Sequence, residues 1–272
     1  MSQILFGDDF WYSTSDDVSY QTLTKSILEQ ETLLAQKYKK KLQSNPGLLR
    51  TPTYQFNRYE LNKIHLEEKI EALQNIAVST ALFAIQETKS NTLLAGTIGP
   101  YNGKDENIRE SELQRYFSEP AIYLTDRGVH TLLLEGFSDP EQLKRAILSL
   151  RKINSVPIPL AAFYRLSAQT DSAIISELIE YSDQIGIELI GFEVDLEEII
   201  KLPNCLNNRQ TPLGFQLMNR GNFSNIDLEQ VCGKLINFSP TVILGGEGLN
   251  EEDWKNCKTC LTKQIDKKSL KK

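Results

Sequence analysis

Eight short apolar runs punctuate this chain at intervals of about 25 to 45 residues, with helix-like stretches between them. They fall at 3–6, 48–54, 93–97, 129–135, 157–163, 188–193, 213–218 and 241–245. Most end in a polar, charged or glycine residue. Strand-like runs alternating with helical periods imply βαβ units and a parallel sheet. Eight such units in about 250 residues is the arithmetic of a (β/α)8 TIM barrel, here a single domain over 1–262. In that architecture the functional side chains gather at the C-terminal ends of the strands, so the residues that follow each run are the ones to read.

The helical periods predict helices over 22–42, 66–88, 111–127, 171–185, 224–237 and 250–261, with another capped by Asp139 and a short turn over 196–201. Apolar residues three and four apart mark the buried face of each, as Leu143, Ala146, Ile147 and Leu150 do after Asp139. Asn45-Pro46-Gly47, Gly128 and Gly186 are stop signals. The tail 263–272 carries five lysines and little apolar surface, and is predicted to be a disordered, solvated end.

Composition removes several classes of function. A net charge of −6 disfavours nucleic acid as a partner. No apolar run approaches the roughly 18 residues of a membrane helix, so no membrane partner is expected. The N-terminus lacks a basic flank and a long apolar stretch, so it does not read as a signal peptide, and a cytoplasmic location is expected. There are two histidines. His65 opens a helical stretch and His130 lies at the bottom of a strand, so both read as structural. Four cysteines (Cys205, Cys232, Cys257, Cys260) are too few for a disulfide framework in a chain of 272 residues. Cys257-Lys258-Thr259-Cys260 is a lone C-x-x-C one helical turn apart, without the second pair a zinc site needs.

The strand ends bring a distinctive set to one rim. Asp8 and Asp9 follow the first run, Thr51 and Thr53 close the second, and Gly99-Pro100 follows the third. Glu135-Gly136 ends the fourth and Tyr164-Arg165 follows the fifth. Glu193-Val194-Asp195, Asn219-Arg220-Gly221 and Gly245-Gly246-Glu247-Gly248 complete the circle. Asp139 and Asp195 read as helix caps. Glu135, Glu193 and Glu247 do not cap a helix and face either the mouth or water. The glycines either make tight turns or let a ligand approach the backbone.

Several of these segments resemble one known family. Gly96-Thr97-Ile98-Gly99-Pro100-Tyr101 resembles the G-x-I-G-P turn of the homocysteine S-methyltransferases. The stretch 128–139, reading GVHTLLLEGFSD, resembles that family's G-V-D-x-L-L-x-E-T-F-x-D segment. Thr51-Pro52-Thr53-Tyr54 is similar to its T-N-T-F/Y strand end, and Ile4-Leu5-Phe6-Gly7-Asp8-Asp9 to its run into D-G-x-x-G-T. The resemblance implies a barrel that holds homocysteine at its mouth, with zinc on three cysteine thiolates. One cysteine stands in a G-x-N-C strand end and two in a G-G-C-C-G-T/S loop. Zinc strips the thiol proton at neutral pH, where a free thiol of pKa about 8.5 stays largely protonated.

This chain departs from the family at those positions. Gly191-Phe192-Glu193 stands where the first cysteine is expected, and Glu247-Gly248 where the other two are. No family zinc, and no metal ligand set, is therefore expected. The resemblance assigns substrate-binding roles to Asp8, Asp9, Thr53, Gly99 and Glu135. Glu193 and Glu247 are the candidate catalytic groups, acting as general base. The expected function is a homocysteine S-methyltransferase-like barrel with a degenerate zinc site, inactive or altered as a thiol methyltransferase, holding a small amino acid such as homocysteine or a protein partner. Two other readings stay open. One is a lyase or hydrolase using a hard divalent ion on these carboxylates, with Arg165 and Arg220 holding an anionic substrate. The other is a non-catalytic interaction protein.

Overall fold

The computed structural model describes residues 4–8, 24, 27–28, 31–103, 108–153 and 158–270. Asp9 and the first residues of the runs at 3–6 and 157–163 lie outside them. The first half contains β1 (Leu5–Phe6), α1 (Glu31–Leu42), β2 (Leu48–Arg50), α2 (Arg58–Asn62), α3 (Ile70–Glu87), β3 (Leu93–Ile98), α4 (Glu110–Asp126) and β4 (Thr131–Phe137). The second contains α5 (Pro140–Arg151), β5 (Leu160–Arg165), α6 (Ser172–Ile185), β6 (Leu189–Asp195), β7 (Leu213–Met218), α7 (Leu228–Asn237), β8 (Val242–Gly245) and α8 (Glu251–Ser269). All strands are parallel, in the order β1-β8-β7-β6-β5-β4-β3-β2. A Gly7–Leu48 bridge closes the ring, with Gly47 N donating to Phe6 O at 2.7 Å and Asp8 N to Leu48 O at 2.9 Å. The chain is a (β/α)8 barrel.

Period-two alternation sorts the strand residues into two cores. Outward residues such as Leu49, Leu94, Leu132 and Phe215 join the helices in one large apolar shell. Inward residues Leu48, Ala95, Leu133, Phe163, Leu189, Val242 and Leu244 form a separate plug inside the ring. Phe163 packs over Gly191 and Gly214, which leave it room. A Cβ on either would lie 2.4 Å or 2.8 Å from its ring. Further along β2, β3, β4, β6 and β7 the inward position turns polar: Arg50, Thr97, Glu135, Glu193 and Gln216, all buried. The apolar plug thus floors a charged layer beneath the mouth.

The cap signals act as their chemistry predicts. Asp139 accepts from Glu141 N at 2.9 Å and Asp171 from Ala173 N at 2.9 Å, while Gly186 ends α6 at φ 69°. His130 Nδ1 accepts from Leu94 N at 3.0 Å at the barrel bottom, a structural task. Two helices show how the structure departs from the sequence pattern. The last helix does not end near Leu261 but continues to Ser269, because Ile265 packs on the shell and Lys268 Nζ reaches Ile236 O at 2.9 Å. The helix α2 was not visible in the apolar periodicity, being too short to show one. Its signal is Asn57 followed by Glu60, a cap that accepts Glu60 N at 2.9 Å.

Candidate functional site

Arg50 sits inside the barrel at the end of β2, with its side chain about 1% exposed. Its Nε donates to Asp8 Oδ1 at 2.8 Å and its Nη1 to Glu135 Oε2 at 3.0 Å. Nη2 donates to the carbonyls of Asp8 at 3.0 Å and Gly245 at 2.6 Å. One guanidinium therefore ties β1, β2, β4 and β8 together across the mouth. The two carboxylates hold it firmly in the charged form, above its ordinary value. Lys41, reaching in from α1, places Nζ 3.6 Å from Asp8 Oδ2.

Glu135 feels two opposed forces. Burial pushes its carboxyl up to about 7, and the nearby Glu193 adds to the push, while Arg50 pulls the other way. The folded state thus holds the Glu135 proton more tightly than the unfolded chain. The resulting stabilisation is fully present below the ordinary value of 4.5 and is lost as pH rises through about 7. Its size is on the order of 3 kcal/mol at about 1.4 kcal/mol per pKa unit. The difference in urea-unfolding free energy between the wild type and Glu135→Gln is expected to fall by that order across this window. A flat difference would mean that Glu135 stays ionised throughout.

A second guanidinium organises the other side. Arg165, at the end of β5, donates through Nε to Glu193 Oε2 at 2.7 Å and places Nη1 3.6 Å from Glu247 Oε2. The other Glu193 oxygen accepts from Gly136 N. That N–H is available because β4 shifts register between Leu134 and Phe137, with Gly136 at φ 83°. The small residue here leaves space for Tyr54, whose hydroxyl lies 2.1 Å from where a Gly136 Cβ would stand. Burial and the Glu193 charge push the Tyr54 phenol well up. Glu247 also lies 3.8 Å from Arg220 Nη2. Its Oε2, like Gln216 Oε1 within the barrel, is buried without a hydrogen bond.

The structure brings Asp8 and Glu135 together on one guanidinium and Glu193 and Glu247 on another. Thr53 is spent on strand linkage: its Oγ1 donates to Thr97 O at 2.8 Å and lies 2.7 Å from Thr51 Oγ1. Gly99 donates its N–H to Tyr54 O at 2.8 Å, and Tyr54 fills the space beside its Cα. Gly246 and Gly248 make close backbone turns, their missing Cβ atoms falling 2.6 Å from Leu217 O and 1.8 Å from Asn219 O. The cysteines lie elsewhere, Cys205 in the turn Asn204–Asn207, Cys232 on α7, and Cys257 and Cys260 on α8. Burial pushes the Cys257 thiol up to about 12, the wrong direction for a reactive thiolate. Among the described residues, no group of three or more His, Cys, Asp or Glu side chains is placed to hold a metal ion.

The missed residues are Arg50, and Arg165 in its pairing with Glu193. Each occupies an inward position two residues beyond an inward apolar one (Leu48, Phe163), so strand parity was the signal.

Comparison with known proteins agrees with this fold. Two solved forms of the Escherichia coli homocysteine methyltransferase MmuM, metallated and oxidised, superpose with TM-scores of 0.74 and 0.75 at 16% identity. Each alignment covers 94% of this chain, and 96% and 95% of the respective MmuM chain. The carboxyl transferase domain of Rhizobium etli pyruvate carboxylase gives 0.56 at 10% identity, over 90% of this chain and 41% of that one. No curated protein sequence matches. The model of the family described as homocysteine S-methyltransferase matches residues 4–193, from the first strand to the glutamate that ends the match on β6. That span includes Asp8, Arg50, Thr53, Gly99, Glu135 and Glu193, and the chain belongs to the homocysteine S-methyltransferase family.

Proposed function

We propose that this barrel is a family member whose mouth no longer activates a thiol through thiolate-bound zinc, and that its charged layer serves the fold and a small amino-acid ligand rather than methyl transfer. One observation carries this reading: among the described residues, the four inward acids of the mouth are each engaged by an arginine. Asp8 and Glu135 share Arg50, while Glu193 and Glu247 share Arg165. Zinc favours thiolate and imidazole donors, and the residues here do not fit it. Glu193 has both oxygens engaged, Gly248 has no side chain, and a guanidinium stands between Glu193 and Glu247.

The same pairing weighs against a hard divalent ion on these carboxylates, since the cation would have to displace Arg165. It weighs against Glu193 as general base too, because the carboxylate that must take a proton already binds a cation. Glu135 keeps the chemistry to meet an ammonium group, but only in competition with Arg50.

Titration calorimetry with homocysteine, with and without zinc, tests the reading alongside elemental analysis and a methyl-transfer assay using sulfonium and quaternary-ammonium donors. The expected result is no retained zinc, no tightening by added zinc, and transfer at the uncatalysed rate. One equivalent of zinc together with zinc-dependent homocysteine binding would overturn it.

A further inference from the structure

A cavity of about 440 Å³ opens over the ends of β5, β6 and β7. None of the inward acids lines it, so it is distinct from the charged layer. Its apolar lining is Leu166, Ile175, Val194, Leu196 and Leu202, all at most 7% exposed. Charged groups of both signs stand around that lining: Arg220, Asp195 and Glu197. Lys201 also lines it but is neutralised by Glu198 at 2.9 Å.

The state of Arg220 is informative. Its guanidinium lies 3.6 Å from Asp195 Oδ2 and 3.8 Å from Glu247 Oε2, beyond hydrogen-bond reach of both. The hydrogen bond it makes goes to the Met218 thioether at 3.8 Å, a weak acceptor. Acids thus hold the fork in place without occupying it, and the side chain is 46% exposed. A planar fork in that state suits a bidentate carboxylate. Asp195 and Glu197 make the surroundings unfavourable for a ligand that is only an anion, and Arg220 does the same for a pure cation.

We propose that this cavity binds a free α-amino acid with an apolar side chain, the zwitterion laying its carboxylate on Arg220, its ammonium group toward Asp195 and Glu197, and its side chain on the Leu166–Ile175–Val194 floor. The volume lies within the range of about 300 to 1,000 Å³ usual for small-molecule sites. The inference does not depend on the fate of the Arg50 cluster, and it touches the second cluster only through Glu247, which flanks Arg220 at 3.8 Å and does not line the cavity.

The test is an NMR titration of the isotope-labelled full chain with L-leucine, L-methionine and L-phenylalanine. L-phenylalaninamide and 3-phenylpropionate serve as probes lacking one charge each. Saturable shifts are expected at 166–170, 194–203 and 219–221, with affinity falling at least about tenfold when either charge is removed, the scale of one charge-assisted contact. Arg220→Gln is expected to weaken binding by a similar factor. Ala168→Trp, at an exposed position on the cavity wall, is expected to block it while leaving the fold intact. Absence of saturable shifts at millimolar ligand, shifts confined to the mouth, or equal affinity for the amide would each overturn the proposal.

Discussion

Replacing Arg50 by methionine is expected to destabilise the barrel by about 3 to 5 kcal/mol, the cost of breaking a buried ion pair by removing one partner. The side chain volume is nearly kept, so the loss is electrostatic. Asp8 and Glu135, about 1% and 3% exposed, would be left facing each other, with Lys41 beside Asp8 at 3.6 Å in place of the shared guanidinium. Two strand-end carbonyls, of Asp8 and Gly245, would lose their donor as well. Urea unfolding at neutral pH measures the effect. Its pH dependence identifies the cause. With Arg50 gone, nothing restrains the upward push of burial on Glu135, and the variant is expected to recover much of its stability as pH falls and that carboxyl protonates. Adding Glu135→Gln to Arg50→Met is expected to give a similar recovery at neutral pH. A loss below about 1 kcal/mol, typical of a surface pair, would show that solvent reaches these charges.

The same layer shows what the sequence made legible. Eight parallel strands with intervening helices followed from spacing and helical period, because most strand ends change from apolar to polar, charged or glycine residues. The boundaries drifted where the backbone does something local. β4 runs two residues past Glu135 because the bulge at Gly136 lets pairing resume at Phe137, and periodicity carries no trace of a single glycine at φ 83°. β2 stops at Arg50, before the threonines expected within it, because Thr97 N donates to the Thr51 hydroxyl at 3.1 Å in place of a ladder bond. The candidate acids were found because they follow apolar runs. Their partners were not, since a charge inside an apolar run reads as an interruption until parity is applied. Leu48 and Arg50 share a face, as do Leu133 and Glu135, and Leu189 and Glu193. A buried arginine at such a position requires carboxylates from other strands, and Asp8 and Glu135 stand at the matching height. That they share one cation is a three-dimensional fact no single run contains.

Putting cysteines at Glu193, Glu247 and Gly248, where the family resemblance places its zinc ligands, is expected to give a destabilised protein that takes up well under one equivalent of zinc. The obstacle is the loop after β8. Gly248 has φ 78°, a conformation that costs a side-chain-bearing residue about 1 to 3 kcal/mol. Its Cβ would also fall 1.8 Å from Asn219 O, and that contact is with backbone, so no rotamer change relieves it. Asn219 is fixed in turn, its N–H donating to Glu247 O at 2.9 Å. The loop must therefore detach from the end of β7 before a thiol at 248 can point anywhere. Loss of Glu193 adds to the damage by removing the close partner of Arg165 and the acceptor for Gly136 N. Gly248→Ala alone separates the two causes, since it carries the backbone cost without altering any charge. It is expected to lose about 3 kcal/mol or more in urea unfolding, strain and clash together. If the triple variant instead binds one equivalent of zinc at wild-type stability, the loop is adaptable and only three side chains separate this mouth from a thiolate zinc centre. If Gly248→Ala alone is severely destabilised, the backbone itself has diverged, and restoring the ligands cannot restore the site.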